Sequence, residues 1–166
     1  YVAKGALKFI FGSYQLRQGA DPTANLKEAI ALQTKASKWE WVRYAAYSNM
    51  AAAYADLSVY ERKMGIDEGE SLKQSVANNS EAVKLNPNSP NLRTNFGISL
   101  AEMANYETRK GINAEPTRDQ AIREFQEAVR IEPKFEIGYD SLGTIYLERA
   151  QSEFEHGQDP NSSAEL

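Results

Sequence analysis

Between residues 90 and 110 the apolar side chains Leu92, Phe96, Leu100 and Met103 recur three or four positions apart, the spacing that lays them along one face of an α-helix. Gly111 follows, at the place where a helix commonly ends in a left-handed residue. A short loop with Pro116 then leads into a second run, where Ala121, Ile122, Phe125, Ala128, Val129 and Ile131 keep the helical period. Thr117, with Gln120 three residues on, fits a capping box that would open this second helix, and Pro133 would close it. The pattern therefore predicts one helix, a glycine turn and a second helix.

The same pattern returns along the chain at a fixed offset of 46 residues, without insertion or deletion. Gly19, Gly65, Gly111 and Gly157 are in step, each followed two residues later by Asp21, Asp67, Asn113 or Asp159. Gly5, Ala51, Gly97 and Gly143 form a second column of small residues, and Ala36, Ala82 and Ala128 a third. Applying the offset predicts first helices near 2–18, 43–64, 90–110 and 136–156, and second helices near 23–38, 70–85 and 117–131. The units run 1–46, 47–92, 93–138 and a partial 139–166, about three and a half in all, within a single domain 1–166. A helix pair of this kind cannot bury its apolar face alone; it does so against the next pair, which makes an all-α helical solenoid the expected architecture.

Composition changes this picture in one respect. Leu, Ile, Val and Phe make up only about a fifth of the 166 residues, a level at which disorder has to be considered. The net charge of -4 is too small to hold the chain open by self-repulsion. Alanine accounts for the shortfall: Ala45, Ala46, Ala51, Ala52, Ala53 and Ala55 in one predicted helix let neighbouring backbones approach closely, and alanine is the strongest helix former.

Measured against known repeats, the chain resembles the tetratricopeptide family, whose signature is W-x2-L-G-x2-Y, then A-x3-F, then P. The last unit reads Tyr139-x2-Leu142-Gly143-x2-Tyr146, and the one before it closes with Ala121-x3-Phe125, Ala128 and Pro133. The second unit has Tyr47-x2-Met50-Ala51-x2-Tyr54, then Ser75-x3-Asn79, Ala82 and Pro87. The first unit departs most, with Lys4 and Lys8 at apolar positions and Trp41 at the proline position. The resemblance implies a right-handed α-α superhelix that holds a peptide or partner helix on a concave face built from the first helix of each unit. The family's usual unit is 34 residues; the additional residues fall at the hairpin tip and lengthen each helix by roughly 9 Å. Long arms with a Gly-x-Asp-Pro tip, as in Gly19 to Pro22, are similar to the repeat segments of some bacterial serine/threonine protein kinases. That implies a regulatory or recruitment region of a larger signalling protein.

On the expected concave face the polar residues Asn49, Asn95 and Ser141 are each followed seven positions later by an acid, Asp56, Glu102 or Glu148. Seven residues are nearly two helical turns, so each pair shares a stripe, and stacking makes a ladder of three acids. Ala52, Ile98 and Thr144 lie between them as an apolar-to-neutral floor. The asparagines would hydrogen-bond the backbone of an extended peptide or a partner helix while the acids select basic side chains. Against this stands the simpler reading that a row of acids on a helix is a solvated face. The Lys and Arg residues with which some tetratricopeptide domains grip a C-terminal carboxylate have no counterpart, since the matching positions hold Ser48, Thr94, Asp140, Asn95 and Ser141.

No catalytic, metal or cofactor site is expected. Cysteine is absent, which removes thiolate metal sites and cysteine nucleophiles. The single histidine, His156, stands at a helix end with no serine or acid placed to work with it. No pocket pattern breaks the repeat register, as an enzyme would require. Asp67-Glu68-Gly69-Glu70 lacks the alternating ligands of a calcium loop, and Asn78-Asn79-Ser80 and Asn161-Ser162-Ser163 match glycosylation sequons of the kind that arise by chance. The acidity sits at one end, residues 139–166 carrying a net -5, and no Lys/Arg cluster exists to neutralise phosphates, so nucleic acid is not an expected partner. No apolar run approaches a membrane span. Tyr14, Tyr60 and Tyr106 recur in register and are expected to pack between the long arms, and Trp39, in line with Leu85 and Ile131, is expected in the core. The expected function is a protein-interaction or scaffolding module, with self-association through the terminal units as the alternative and the cytoplasm as the favoured compartment. The chain begins at Tyr1, and a fragment of a larger protein is expected.

Overall fold

The computed structural model describes residues 1–155. Within them the chain forms seven α-helices and no strand: α1 Val2–Arg17, α2 Thr23–Ala36, α3 Arg43–Lys63, α4 Gly69–Leu85, α5 Pro90–Arg109, α6 Glu115–Ile131 and α7 Glu136–Glu155. A short 3-10 turn, Glu40–Val42, precedes α3. Each helix packs on the next in sequence, and α1 also touches α3, α3 touches α5, and α5 touches α7. This neighbour-to-neighbour packing is consistent with a helical repeat. The expectations for His156, Gly157 and Asp159, the sequon at Asn161 and the remainder of the fourth unit up to Leu166 lie outside the described residues.

The hairpin tips repeat atom for atom. Gly19, Gly65 and Gly111 have φ of 73, 71 and 70°, a left-handed conformation that costs a residue with a Cβ roughly 1–2 kcal/mol. The residue after each glycine reaches back to close the helix: Ala20 N–H to Gln15 O, Ile66 N–H to Glu61 O, and Ile112 N–H to Glu107 O, at 2.8–2.9 Å. This is the double-bonded glycine cap that satisfies the last carbonyls of a helix. The Asp or Asn two residues beyond the glycine then starts the next helix. Asp21 Oδ1 accepts from Thr23 N–H at 2.8 Å, Asp67 Oδ1 from Gly69 N–H at 2.9 Å, and Asn113 Oδ1 from Glu115 N–H at 3.1 Å. The capping box expected at Thr117 is not what opens α6. That helix starts two residues earlier, at Glu115, with Pro116 in its first turn, because Asn113 already supplies the side-chain acceptor a helix start needs.

Small residues set the distance between helices. Gly97 on α5 faces Phe125 on α6, and a Cβ at Gly97 would overlap the phenyl ring. Phe125 is fully buried in a cluster with Phe96, Leu100, Ala121, Ile122 and Ile145, where an aromatic side chain contributes roughly 1.5–3 kcal/mol by burial alone. One unit earlier Asn79 stands in the phenylalanine position. Its amide donates to Ser99 Oγ at 2.8 Å and to Asn95 O at 3.1 Å, and Ser75 and Ser99 share a further bond at 2.8 Å. The α4–α5 contact therefore adds buried polar bonds to the apolar packing of Ala82 and Val83 with Leu92, Phe96 and Leu100, where α5–α6 is filled by a ring.

Two further departures have local reasons. Lys4 and Lys8, at apolar positions of the repeat, both pair with Glu28 on α2, at 3.7 and 2.7 Å. Trp39 is not a core residue: it is 58% exposed, in the extended link after α2. Its partner in register, Leu85, is also exposed. The column closes the second helix and lies off its inward face.

Candidate functional site

The face formed by α1, α3, α5 and α7 carries two adjoining hollows. One, of about 220 Å³, is bounded by Phe9, Ala52, Ala55, Asp56, Asn79 and Asn95, with Ile98 at its edge. The other, of about 230 Å³, lies between α5 and α7 and is bounded by Ile98, Glu102, Asp140, Ser141, Thr144 and Glu148, over a base that includes Phe125, Ile137 and Ile145. Ile98 belongs to both and is 46% exposed, so it forms an apolar ridge between them.

Of the residues expected to make a peptide-binding face, the structure thus brings Ala52, Asp56, Asn95 and Ile98 together in one hollow and Ile98, Glu102, Ser141, Thr144 and Glu148 in the other. Asn49 is half-buried and lines neither. Ile137 was not expected there, and Asp140 was expected only as a position where a carboxylate clamp is missing; both lie within about one turn before Ser141, so the face is wider than a single stripe. Neither hollow is lined by Lys or Arg.

The acids are not a simple row of solvated groups. Ser13 on α1 donates to Asp56 on α3, Arg62 on α3 pairs with Glu102 on α5 at 3.5 Å, and Asn105 on α5 donates to Glu148 on α7 at 3.4 Å. Each rung therefore ties one first helix to the next. The donor changes in the middle rung because the register partner of Ser13 there is Val59, which has no donor, and Arg62 one turn further takes the place. A carboxylate has about four acceptor sites, so one bond to a neighbouring helix leaves each acid able to accept from a ligand. Thr144 is exposed but donates its hydroxyl to Asp140 O at 2.9 Å. The face can hold an extended or helical segment by apolar contact on Ile98 and accept hydrogen bonds and positive charge on either side.

No protein-family model matches the chain, and neither does any curated protein.

The register is broken at a different place, contrary to the expectation that no pocket would do so. Arg118 stands in the column of Leu26 and Leu72, Arg149 in that of Leu57 and Met103, and Ser152 in that of Tyr60 and Tyr106. The structure gathers all three at the tip of the α5–α6 hairpin against α7. Arg118 is 2% exposed and donates to Glu115. Arg149 pairs with Glu115 at 3.2 Å, Asp119 at 3.1 Å and Glu153 at 3.2 Å. Aligning columns for substitutions of apolar by charged residues is the signal that finds this cluster. Among the described residues no helix is long and apolar enough to cross a membrane.

Proposed function

We propose that the chain is a tetratricopeptide-like array, winding as a right-handed superhelix, that serves as a protein-interaction module for a basic peptide or partner helix, within the regulatory or recruitment region of a larger signalling protein. The observation that carries this reading is the paired hollow on the first-helix face, in which an exposed apolar ridge, Ile98, is flanked by Asp56, Glu102, Asp140 and Glu148 with no lysine or arginine in the lining. Lysine and arginine side chains suit such a surface, their aliphatic stems lying on apolar groups while the cationic head reaches a carboxylate. Asn95, exposed beside Ile98, adds an amide able to donate to and accept from a peptide backbone.

The test is fluorescence polarisation against a set of twelve-residue peptides that share length and apolar content but range from acidic to basic. Basic members bind in the micromolar range, weakening with salt, and acidic members do not. The triple variant Asp56→Ala, Glu102→Ala, Glu148→Ala loses at least about tenfold in affinity, about 1.4 kcal/mol. Unchanged affinity in that variant, or tight binding of acidic peptides, refutes the reading.

A second reading, self-association, is favoured by one observation. Leu7, Ile10, Phe11 and Tyr14 form an exposed apolar stripe on α1, where the corresponding residues of α3 and α5 meet a preceding hairpin. Sedimentation across a range of concentrations separates a monomer from a self-associating chain.

A further inference from the structure

The tip of the α5–α6 hairpin and α7 enclose a cavity of about 360 Å³, lined among others by Thr108, Asn113, Glu115, Arg118 and Ser152. One hairpin earlier the same place is occupied. There the phenol of Tyr106 reaches from α5 to the α3–α4 tip and donates to Asp67 Oδ1 at 3.0 Å, the same oxygen that accepts from Gly69 N–H. Lys110 Nζ lies 5.3 Å from the centre of the Tyr106 ring. In the third hairpin Ser152 replaces the tyrosine and Asn113 replaces the acid. Asn113 Oδ1 repeats the backbone bond, to Glu115 N–H, and as a carbonyl oxygen it has a second lone pair. A cation is again present: Arg118 gives Nη1 to Glu115 and Nη2 to Thr108 at 3.4 Å, but its Nε is buried without an acceptor.

We propose that this cavity binds a phenolic ring supplied from outside the repeat, either a tyrosyl side chain of a partner or a free small phenol. A phenol hydroxyl is both donor and acceptor. It donates to Asn113 Oδ1, as Tyr106 does to Asp67, and accepts from the guanidinium of Arg118, whose planar cation also suits an aromatic face. Glu115 stands where the second hairpin has Gly69, and a Cβ at Gly69 would lie 2.5 Å from the Tyr106 hydroxyl. The first hairpin also carries a residue with a Cβ there, Thr23, together with a tyrosine, Tyr60, in the column of Tyr106. This cavity shares no lining residue with the groove on the first-helix face, so the two proposals stand or fall separately.

The experiment titrates the full chain with 4-methylphenol, the tyrosine side chain, and with N-acetyltyrosinamide, followed by NMR shifts of residues 108–118 and 145–153. 4-Methylphenol, with about eight heavy atoms, is expected to bind with a dissociation constant on the order of a millimolar. Ser152→Tyr fills the cavity from within and should raise the melting temperature by about 2–4 °C while weakening ligand binding at least about tenfold. Ser152→Ala, which leaves the cavity open, should bind as the unaltered chain does. Tighter binding of the amide than of the methylphenol identifies a partner's tyrosine as the occupant; the reverse identifies a free phenol. Equal binding by Ser152→Tyr and the unaltered chain, or no saturable shifts in either open-cavity protein, overturns the proposal.

Discussion

The second and third hairpin tips share a backbone and differ in what seals them. Both turn on a left-handed glycine, Gly65 or Gly111, and both start the following helix on a side-chain oxygen two residues later. Against the second tip lie Leu72, 3% exposed, and the ring of Tyr106, whose hydroxyl reaches Asp67. Against the third lie Arg118, Arg149 and Ser152, with a cavity in place of the ring. The turn is set by a glycine and one acceptor and survives any neighbour. The seal depends on a pair of residues from different helices, and changing one obliges the other to change: Glu115 arrives where Gly69 was, and its carboxylate is what makes a buried arginine tenable.

The sharpest way to break this comparison is to move the third tip's charge into the second. Leu72→Arg places a guanidinium in an apolar site whose Glu115 counterpart is Gly69, so the charge is buried unpaired. We expect a loss of about 3–5 kcal/mol by urea denaturation, or no folded protein. The reverse exchange, Arg118→Leu, restores the apolar column, and Glu115 keeps Arg149 as a partner at 3.2 Å. Because it also removes an unsatisfied buried Nε, the expected change is a gain of about 1 kcal/mol by the same measurement. A loss of similar size would show that the Arg118–Glu115 pair holds α7 in place.

The smallest expected difference is in acid. The Gly69 N–H, then the Tyr106 hydroxyl and Lys110, hold the Asp67 carboxyl below its ordinary 3.8. Asp21 is lowered likewise, first by its hydrogen bonds from Thr23. A group whose folded pKa is depressed adds stability that is fully present above its unfolded value and disappears as pH falls through the folded one. Asn113 carries no titratable proton, so the equivalent cap bond at the third tip has no such dependence on pH. Asp67→Asn should therefore flatten the decline of melting temperature between about pH 5 and about pH 2. An acid limb identical to that of the unaltered chain would mean the Asp67 bonds are equally strong in the unfolded ensemble.

Much of the fold was legible because the repeat is strict. Helix ends expected near 18, 64 and 110 follow from the glycines, and the first three first helices end one residue earlier, at Arg17, Lys63 and Arg109. The start of α6 was misplaced because two acceptors compete within four residues, Asn113 and Thr117, and composition alone does not say which carboxamide or hydroxyl reaches a free N–H. Trp39 was misplaced for a related reason: register gives a column, but whether the column at a helix end faces inward depends on how the link after α2 leaves the helix. Periodicity put Ala52, Asp56, Asn95, Ile98, Glu102, Ser141, Thr144 and Glu148 on one face, but it also named Asn49, which lines neither hollow, and it did not name Phe9, Ala55, Asn79 or Ile137, which do.

By itself the sequence determined the period, the helix count among the described residues, the left-handed turns and the small-residue columns, because each depends on local backbone chemistry repeated every 46 residues. Only the tertiary structure decided what lies between helices of different units. That the acids Asp56, Glu102 and Glu148 bridge α1 to α3, α3 to α5 and α5 to α7, and that Arg118 and Ser152 meet at one cavity, depends on contacts 30 to 43 residues apart in the chain. Periodicity places a residue on a face; the partner across that face is chosen by packing, which no local pattern encodes.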